Sequence, residues 1–218
     1  TALVYDWENR WAIDEAQCVG DALKRYEAAC LEHYRPFWRR GVPVDVIDQT
    51  CPLEGYRLVV APLLYMLRGD VAERLGRFVR SGGTLVVTYG CGFVDGRELC
   101  FLGGWPGGGL REVLGVWNEE TDTLYPGQSV AVACRAGNPL GLAGTYRAVD
   151  VCARLHAEGA EAVAEYAEGL FAGTPAVTVH GHGRGRAYYV ACRGEGGFLD
   201  DFYAAVARGL GLRRALEG

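Results

Sequence analysis

Several residue types and patterns are scarce in this chain of 218 residues, and each scarcity excludes something. Of its 22 Lys and Arg residues only Lys24 is lysine, a bias that fits a GC-rich genome favouring Arg, Ala and Gly codons. There is one methionine, Met66, and the chain opens at Thr1 directly in an apolar run, so it reads as a piece excised from a longer protein. No apolar run approaches the ~18–20 residues of a spanning helix, and no basic stretch precedes an apolar one near the start. The net charge of −5 leaves no positive excess to neutralise phosphates, so neither nucleic acid nor an anionic membrane surface is expected as a partner.

Metal chemistry is also poorly supported. The eight cysteines (18, 30, 51, 91, 100, 134, 152 and 192) include no Cys-x-x-Cys pair and no Cys/His cluster at zinc-ligand spacing. A chain this long builds a core without staples, so the cysteines are read as reduced, mostly buried thiols. A cytoplasmic protein without cofactor or metal is expected.

What the sequence has in abundance is glycine, 32 residues, about twice the usual share. Half the chain is hydrophobic, enough for one globular domain. Ala2 to Tyr5 reads as a buried strand, and the polar and aromatic cluster from Asp6 to Trp11 as the loop after it. Asp14 and Gln17 stand at capping-box spacing. Ala16, Val19, Leu23, Tyr26, Cys30, Tyr34 and Phe37 then recur every three or four residues, predicting one long amphipathic helix that stops at Gly41 and Pro43. Val42 to Ile47 and Tyr56 to Ala61 read as strands. Asp70 and Glu73 open a second helix, and Thr84 to Thr88 form a further strand. Alternation of buried strands with helical patterns predicts an α/β three-layer sandwich with a mainly parallel sheet.

From Cys91 to about Arg147 the pattern weakens to a short helix over Leu110 to Leu114 and loop. Order returns with a strand over Ala160 to Tyr166. A C-terminal β-hairpin over Ala176 to His180 and Arg186 to Cys192 follows, then a last helix from Phe198 to Leu210. Residues 1–212 are expected to form a single domain, with 213–218 as a tail.

In a parallel sheet, sites lie at the carboxyl ends of strands, here the loops after Tyr5, Ala61 and Thr88. Thr88-Tyr89-Gly90-Cys91-Gly92 is similar to the nucleophile elbow of class I glutamine amidotransferase-like folds. No helix pattern follows it, so a structural thiol is the preferred reading of Cys91. His180-Gly181-His182-Gly183-Arg184-Gly185 leads into a strand rather than a helix and reads as a hairpin turn, not a phosphate loop. The acidic pairs Glu119-Glu120 and Asp200-Asp201 read as solvated surface. Trp7, Trp11, Trp105 and Trp117 fall in or near loops, where they serve either an interface or sugar-facing surface, or cap the sheet as core.

Several ordered blocks carry a family likeness. Leu3-Val4-Tyr5-Asp6-Trp7-Glu8-Asn9 with Trp11, Gly41-Val42-Pro43-Val44-Asp45, Leu58-Val59-Val60-Ala61-Pro62 with Tyr65-Met66, Gly82-Gly83-Thr84-Leu85-Val86, Phe101-Leu102-Gly103-Gly104, Leu110 to Gly115 and Gly185 to Val190 together resemble the middle domain of glycoside hydrolase family 42 beta-galactosidases. The resemblance implies an amidotransferase-like, flavodoxin-like fold that is not catalytic and holds a homotrimer together. It implies that the two catalytic glutamates, and most contacts to the terminal β-D-galactoside, belong to a (β/α)8 barrel absent from this chain, so no catalytic or metal residue carries over. Asp6, Trp7, Glu8, Asn9 and Trp11 are then the expected interface or site-rim groups. The alternatives are a stand-alone hydrolase using Cys91 and a carbohydrate-binding module using the tryptophans.

Overall fold

A computed structural model describes residues 1–17, 20–21 and 23–215; Cys18, Val19 and the end of the expected tail, residues 216–218, lie outside the described residues. In chain order the elements begin with β1 (Ala2–Val4), α1 (Trp7–Glu15), α2 (Tyr26–Arg40), β2 (Asp45–Ile47), β3 (Leu58–Ala61), β4 (Met66–Leu67) and α3 (Val71–Arg80). Next come β5 (Thr84–Thr88), β6 (Val94–Asp95), α4 (Leu110–Leu114), β7 (Val116–Thr123), β8 (Val130–Cys134) and β9 (Thr145–Ala157). The chain closes with β10 (Glu161–Tyr166), β11 (Pro175–His182), β12 (Gly185–Val190), β13 (Cys192–Gly194) and α5 (Phe198–Leu210).

The described residues form an eleven-stranded sheet in the order β13-β9-β8-β10-β11-β12-β5-β3-β1-β2, with β7 also paired to β9, and a two-stranded sheet of β4 and β6. The side comprising β2, β1, β3, β5 and β12 is parallel throughout. The other side is antiparallel and far larger than the single hairpin expected, because the stretch read as loop after α4 makes three strands. Polar residues such as Asn118, Glu119 and Glu120 on β7 break the alternation that marks a strand in sequence.

Alternate residues of the central strands feed opposite faces, as the period of two requires. Leu58, Val60, Val86, Tyr188 and Val190 pack with Phe37 of α2 and Phe202 and Tyr203 of α5. Val59, Ala61, Leu85, Val87 and Tyr189 pack with Leu75 of α3 and Leu110 and Val113 of α4. Helices therefore cover both faces, and the molecule is a three-layer mixed α/β sandwich.

Two expectations about the first ninety residues are corrected. The cluster after β1 is a helix rather than a loop, because the Asp6 carboxylate accepts the Asn9 N–H at 2.7 Å and caps α1. The long helix begins only at Tyr26, and Asp14 sits in the last turn of α1, 3.8 Å from Arg10, instead of capping it. Asp70 precedes α3 as expected, yet its carboxylate pairs with Arg74 at 3.1 Å and makes no side-chain cap.

Candidate functional site

The carboxyl ends of β1 and β2 converge on Arg68, which follows β4. Its guanidinium bonds the carboxylate of Asp6, which follows β1, and reaches Asp48, which follows β2, at 2.9 Å. Glu8 in the first turn of α1 lies 3.2 Å from the same group. Asp6 is fully buried, so the guanidinium is what makes a carboxylate tolerable there. Burial acts to raise the Asp48 carboxyl, but hydrogen bonds from Thr50 and the Arg68 charge outweigh it and hold it below the usual carboxylate range.

Asn9 is equally buried and joins α1 to the segment after β3. Its amide donates to the Leu63 carbonyl at 3.0 Å, and its oxygen accepts the Met66 N–H at 2.8 Å. The Tyr26 hydroxyl accepts the Asp6 N–H at 2.9 Å, fixing the start of α2 to the end of β1. Asp6 and Asn9 are therefore internal posts, not surface groups.

Trp7 and Trp11 lie on the outer side of α1, 55% and 59% exposed, with ring centroids 6.4 Å apart. Tyr5 meets Trp7 edge to face at 5.5 Å, and the Arg10 guanidinium lies 5.3 Å from the Trp7 ring. The indoles are held in place while their outer faces meet water. Of the five residues expected at an interface or rim, Trp7, Glu8 and Trp11 reach the surface and Asp6 and Asn9 support them.

Trp105 and Trp117, also expected in or near loops, are packed, and Trp117 lies on β7. Trp105 stacks on Phe93 at 4.4 Å, and Trp117 lies between His156 at 4.8 Å and the Arg111 guanidinium at 5.5 Å. His156 lies on β9, not in a loop, and its Nε2 is 2.6 Å from Glu119.

Cys91 closes the nucleophile reading. It is fully buried in the α3-side core, and burial pushes its thiol up to about 12, so no thiolate forms near neutral pH. The turn holding it bends through Gly90 and Gly92 with φ of 72° and 66°, and no helix begins there to offer amide donors. Among the described residues no group of three or more His, Cys, Asp or Glu side chains is placed to hold a metal ion, and no helix is long and apolar enough to cross a membrane. The Arg68 cluster is likewise unsuited to acid–base work, since Asp6 is sealed from solvent and already bonded to a cation.

What sequence reasoning missed is Arg68, 62 residues from Asp6, and the exposed Trp38 on α2. The Arg68 contact has no local signal. Asp6 as a cap three residues before Asn9 was the signal for α1.

The comparisons with known proteins agree with one another. The sequence matches the family described as "Beta-galactosidase trimerisation domain" over residues 1–213. It is 53% identical over 216 residues to the beta-galactosidase BglY of Alicyclobacillus acidocaldarius, covering 99% of this chain and 31% of that protein. It is 48% identical to the beta-galactosidase Pbg of Clostridium perfringens, with the same coverage of 99% and 31%. The chain thus spans about a third of the length of these curated relatives. Among solved structures, the beta-galactosidase from Rahnella sp. R3 superposes with a TM-score of 0.96 at 49% identity, covering 99% of this chain and 32% of that one. That from Bacillus circulans sp. alkalophilus gives 0.94 at 37% identity, covering 99% and 32%. With nearly its whole length matched, the chain belongs to the beta-galactosidase trimerisation domain family.

Proposed function

We propose that this chain is the non-catalytic middle domain of a beta-galactosidase that hydrolyses terminal β-D-galactosides, and that it holds three copies of the parent enzyme together. The observation that carries this reading is the exposed Trp7–Trp11 pair, rigidly mounted on a chain of this family. Half of a tryptophan's ~250 Å² is about 125 Å², and covering it contributes ~3 kcal/mol at ~25 cal/mol per Å². Two such rings per subunit form a sufficient centre for an interface.

In this reading residues 1–212 are the assembly domain and 213–218 a tail, and the catalytic carboxylates and most galactoside contacts reside in a barrel outside this chain. Trp7, Glu8 and Trp11 face the subunit interface or the rim of a neighbouring active site, with Asp6 and Asn9 holding them. Parallel strands covered by helices on both faces support a flavodoxin-like, amidotransferase-like ancestry without its chemistry. Seven described cysteines without a disulfide support a cytoplasmic setting. No nucleic acid, membrane or cofactor takes part. Two measurements test the reading. The isolated chain should leave a chromogenic β-galactoside untouched, and it should sediment as a trimer; clear turnover, or a monomer at every concentration, would overturn it.

A further inference from the structure

A closed ring of three identical chains cannot match a patch with itself. Each interface is heterologous and needs two different, complementary surfaces on every copy. The α1 face is one candidate half. Around Trp7 and Trp11 the exposed ionisable groups are Glu8, Asp14 and Glu15, and the half-buried Arg10 lies over the Trp7 ring, so the rim of this aromatic patch is net acidic.

The outer side of α2 supplies a second patch with the opposite charge. Leu31 and Trp38, seven residues apart and so on one side of the helix, are 46% and 69% exposed. The charges exposed beside them are Arg35, between the two, Arg39, and Glu27 one turn before Leu31, which pairs with Arg10 of the same copy. Arg39 is tied to Asp200 at 2.7 Å, whereas Arg35 forms no ion pair among the described residues. The inner side of the same helix, with His33, Pro36 and Phe37, is buried, which fixes the direction in which Trp38 points.

The two patches cannot cover each other within one copy. Arg10 of α1 pairs with Glu27 in the first turn of α2 at 3.3 Å, which places α1 at the start of that helix. Trp38 is eleven residues further on, ~16 Å along the axis at ~1.5 Å per residue. Resting on the trimeric reading above, we propose that the ring closes head to tail, the acidic α1 face of one copy seating on the basic Leu31–Trp38 face of α2 in the next. Opposite rims favour this register and penalise like patches meeting, which puts acid on acid or Arg35 on Arg35.

The test uses two variants of the 218-residue chain, Trp7→Glu/Trp11→Glu and Leu31→Glu/Trp38→Glu, followed by sedimentation velocity alone and in a 1:1 mixture. All four side chains point to solvent, and circular dichroism with thermal melting checks that each variant folds. Wild type is expected as a trimer and each variant as a monomer. The mixture is expected as a heterodimer, because one intact α1 face and one intact α2 face remain. The milder Trp11→Ala and Trp38→Ala are expected to raise the dissociation constant at least tenfold. A trimer that survives either charged pair overturns the proposal and leaves trimerisation standing, as does a mixture that stays monomeric. A monomeric wild type overturns both readings together.

Discussion

His33 Nδ1 lies 2.5 Å from the Tyr203 hydroxyl oxygen, a hydrogen bond that joins α2 to α5 with both side chains buried. Their rings meet edge to face at 5.6 Å, and Phe37 packs on Tyr203 at 4.7 Å. This buried polar contact pins two helices that are also tied at their outer edge by Arg39 and Arg40 to Asp200.

The pair has a pH consequence. Burial lowers the His33 imidazole from 6.5 to about 3, so it stays neutral in the folded chain where the unfolded chain would take up a proton. The unfolded state binds more protons between those values, so stability is full above about 6.5 and is lost as pH falls toward 3. The limiting slope is ~1.4 kcal/mol per pH unit. His33→Phe combined with Tyr203→Phe removes both polar partners and should flatten the dependence of the urea midpoint on pH between 6.5 and 4.5. His33→Phe alone leaves a buried hydroxyl unpaired and should cost ~1–3 kcal/mol at pH 7. A pH slope unchanged in the double variant would refute the assignment.

Arg68 should matter more to stability than any other surface-reaching arginine of this end of the sheet. Arg68→Met leaves the Asp6 carboxylate buried without its cation, a loss of ~3–5 kcal/mol. Adding Asp6→Asn, which retains a capping oxygen for the Asn9 N–H, should recover part of it. Chemical denaturation of the two variants beside wild type measures this. Equal stability of Arg68→Met and wild type would show that the cluster holds nothing together.

The repetitive parts of the fold were legible because their residues face one uniform environment. Thr84 to Thr88 is buried on both sides and reads as a strand with the observed bounds, and Leu110 to Leu114 reads as the short helix it is. The C-terminal hairpin and α5 followed from alternation and from the stripe of Phe198, Phe202 and Val206. α1 was hidden because its tryptophans point outward while Ala12 and Ile13 point inward, so apolar residues occupy both sides and no periodicity stands out. β7 to β9 were hidden by their partial burial, which lets Glu119, Glu120 and Arg147 occupy strand positions. At the site, aromatic and acidic residues after β1 were visible as a group. Their division into buried posts and exposed faces depends on Arg68 and Leu63, which only the folded chain brings to them.

Gly185 shows why the glycine excess is not all codon bias. A Cβ there would lie 2.2 Å from the carbonyl oxygens of both Val79 and Gly83, backbone atoms at the end of α3 and the start of β5 that cannot swing aside. Gly181, in the same hairpin, has nothing within 4 Å of its Cβ position. Gly185→Ala should therefore destabilise by more than ~2 kcal/mol, while Gly181→Ala should change stability by under ~0.5 kcal/mol. Thermal melts of the two variants side by side decide it, and equal melting points would contradict the close approach.

Thiol reactivity separates the assembly domain from a Cys91 hydrolase. Reaction with an alkylating agent requires both access and a thiolate. Cys100, in the turn before Trp105, is exposed, whereas Cys91 has neither access nor a thiol that ionises near pH 7, and Cys192 is driven higher still by burial. In a Cys18→Ser background, iodoacetamide at pH 7.5 should label Cys100 first. Cys51 and Cys134, partly covered, should follow, and Cys30, Cys91, Cys152 and Cys192 should react only on unfolding. Peptide mass mapping over a time course reads the order directly. A catalytic cysteine would invert it, with Cys91 labelled ahead of Cys100 and protected by a bound substrate. Because Cys91 packs among Leu64, Val87 and Leu110, enlarging it should also be felt as strain. Cys91→Met is therefore expected to cost ~1–3 kcal/mol in stability, where a reactive thiol in an open elbow would accept the longer side chain freely.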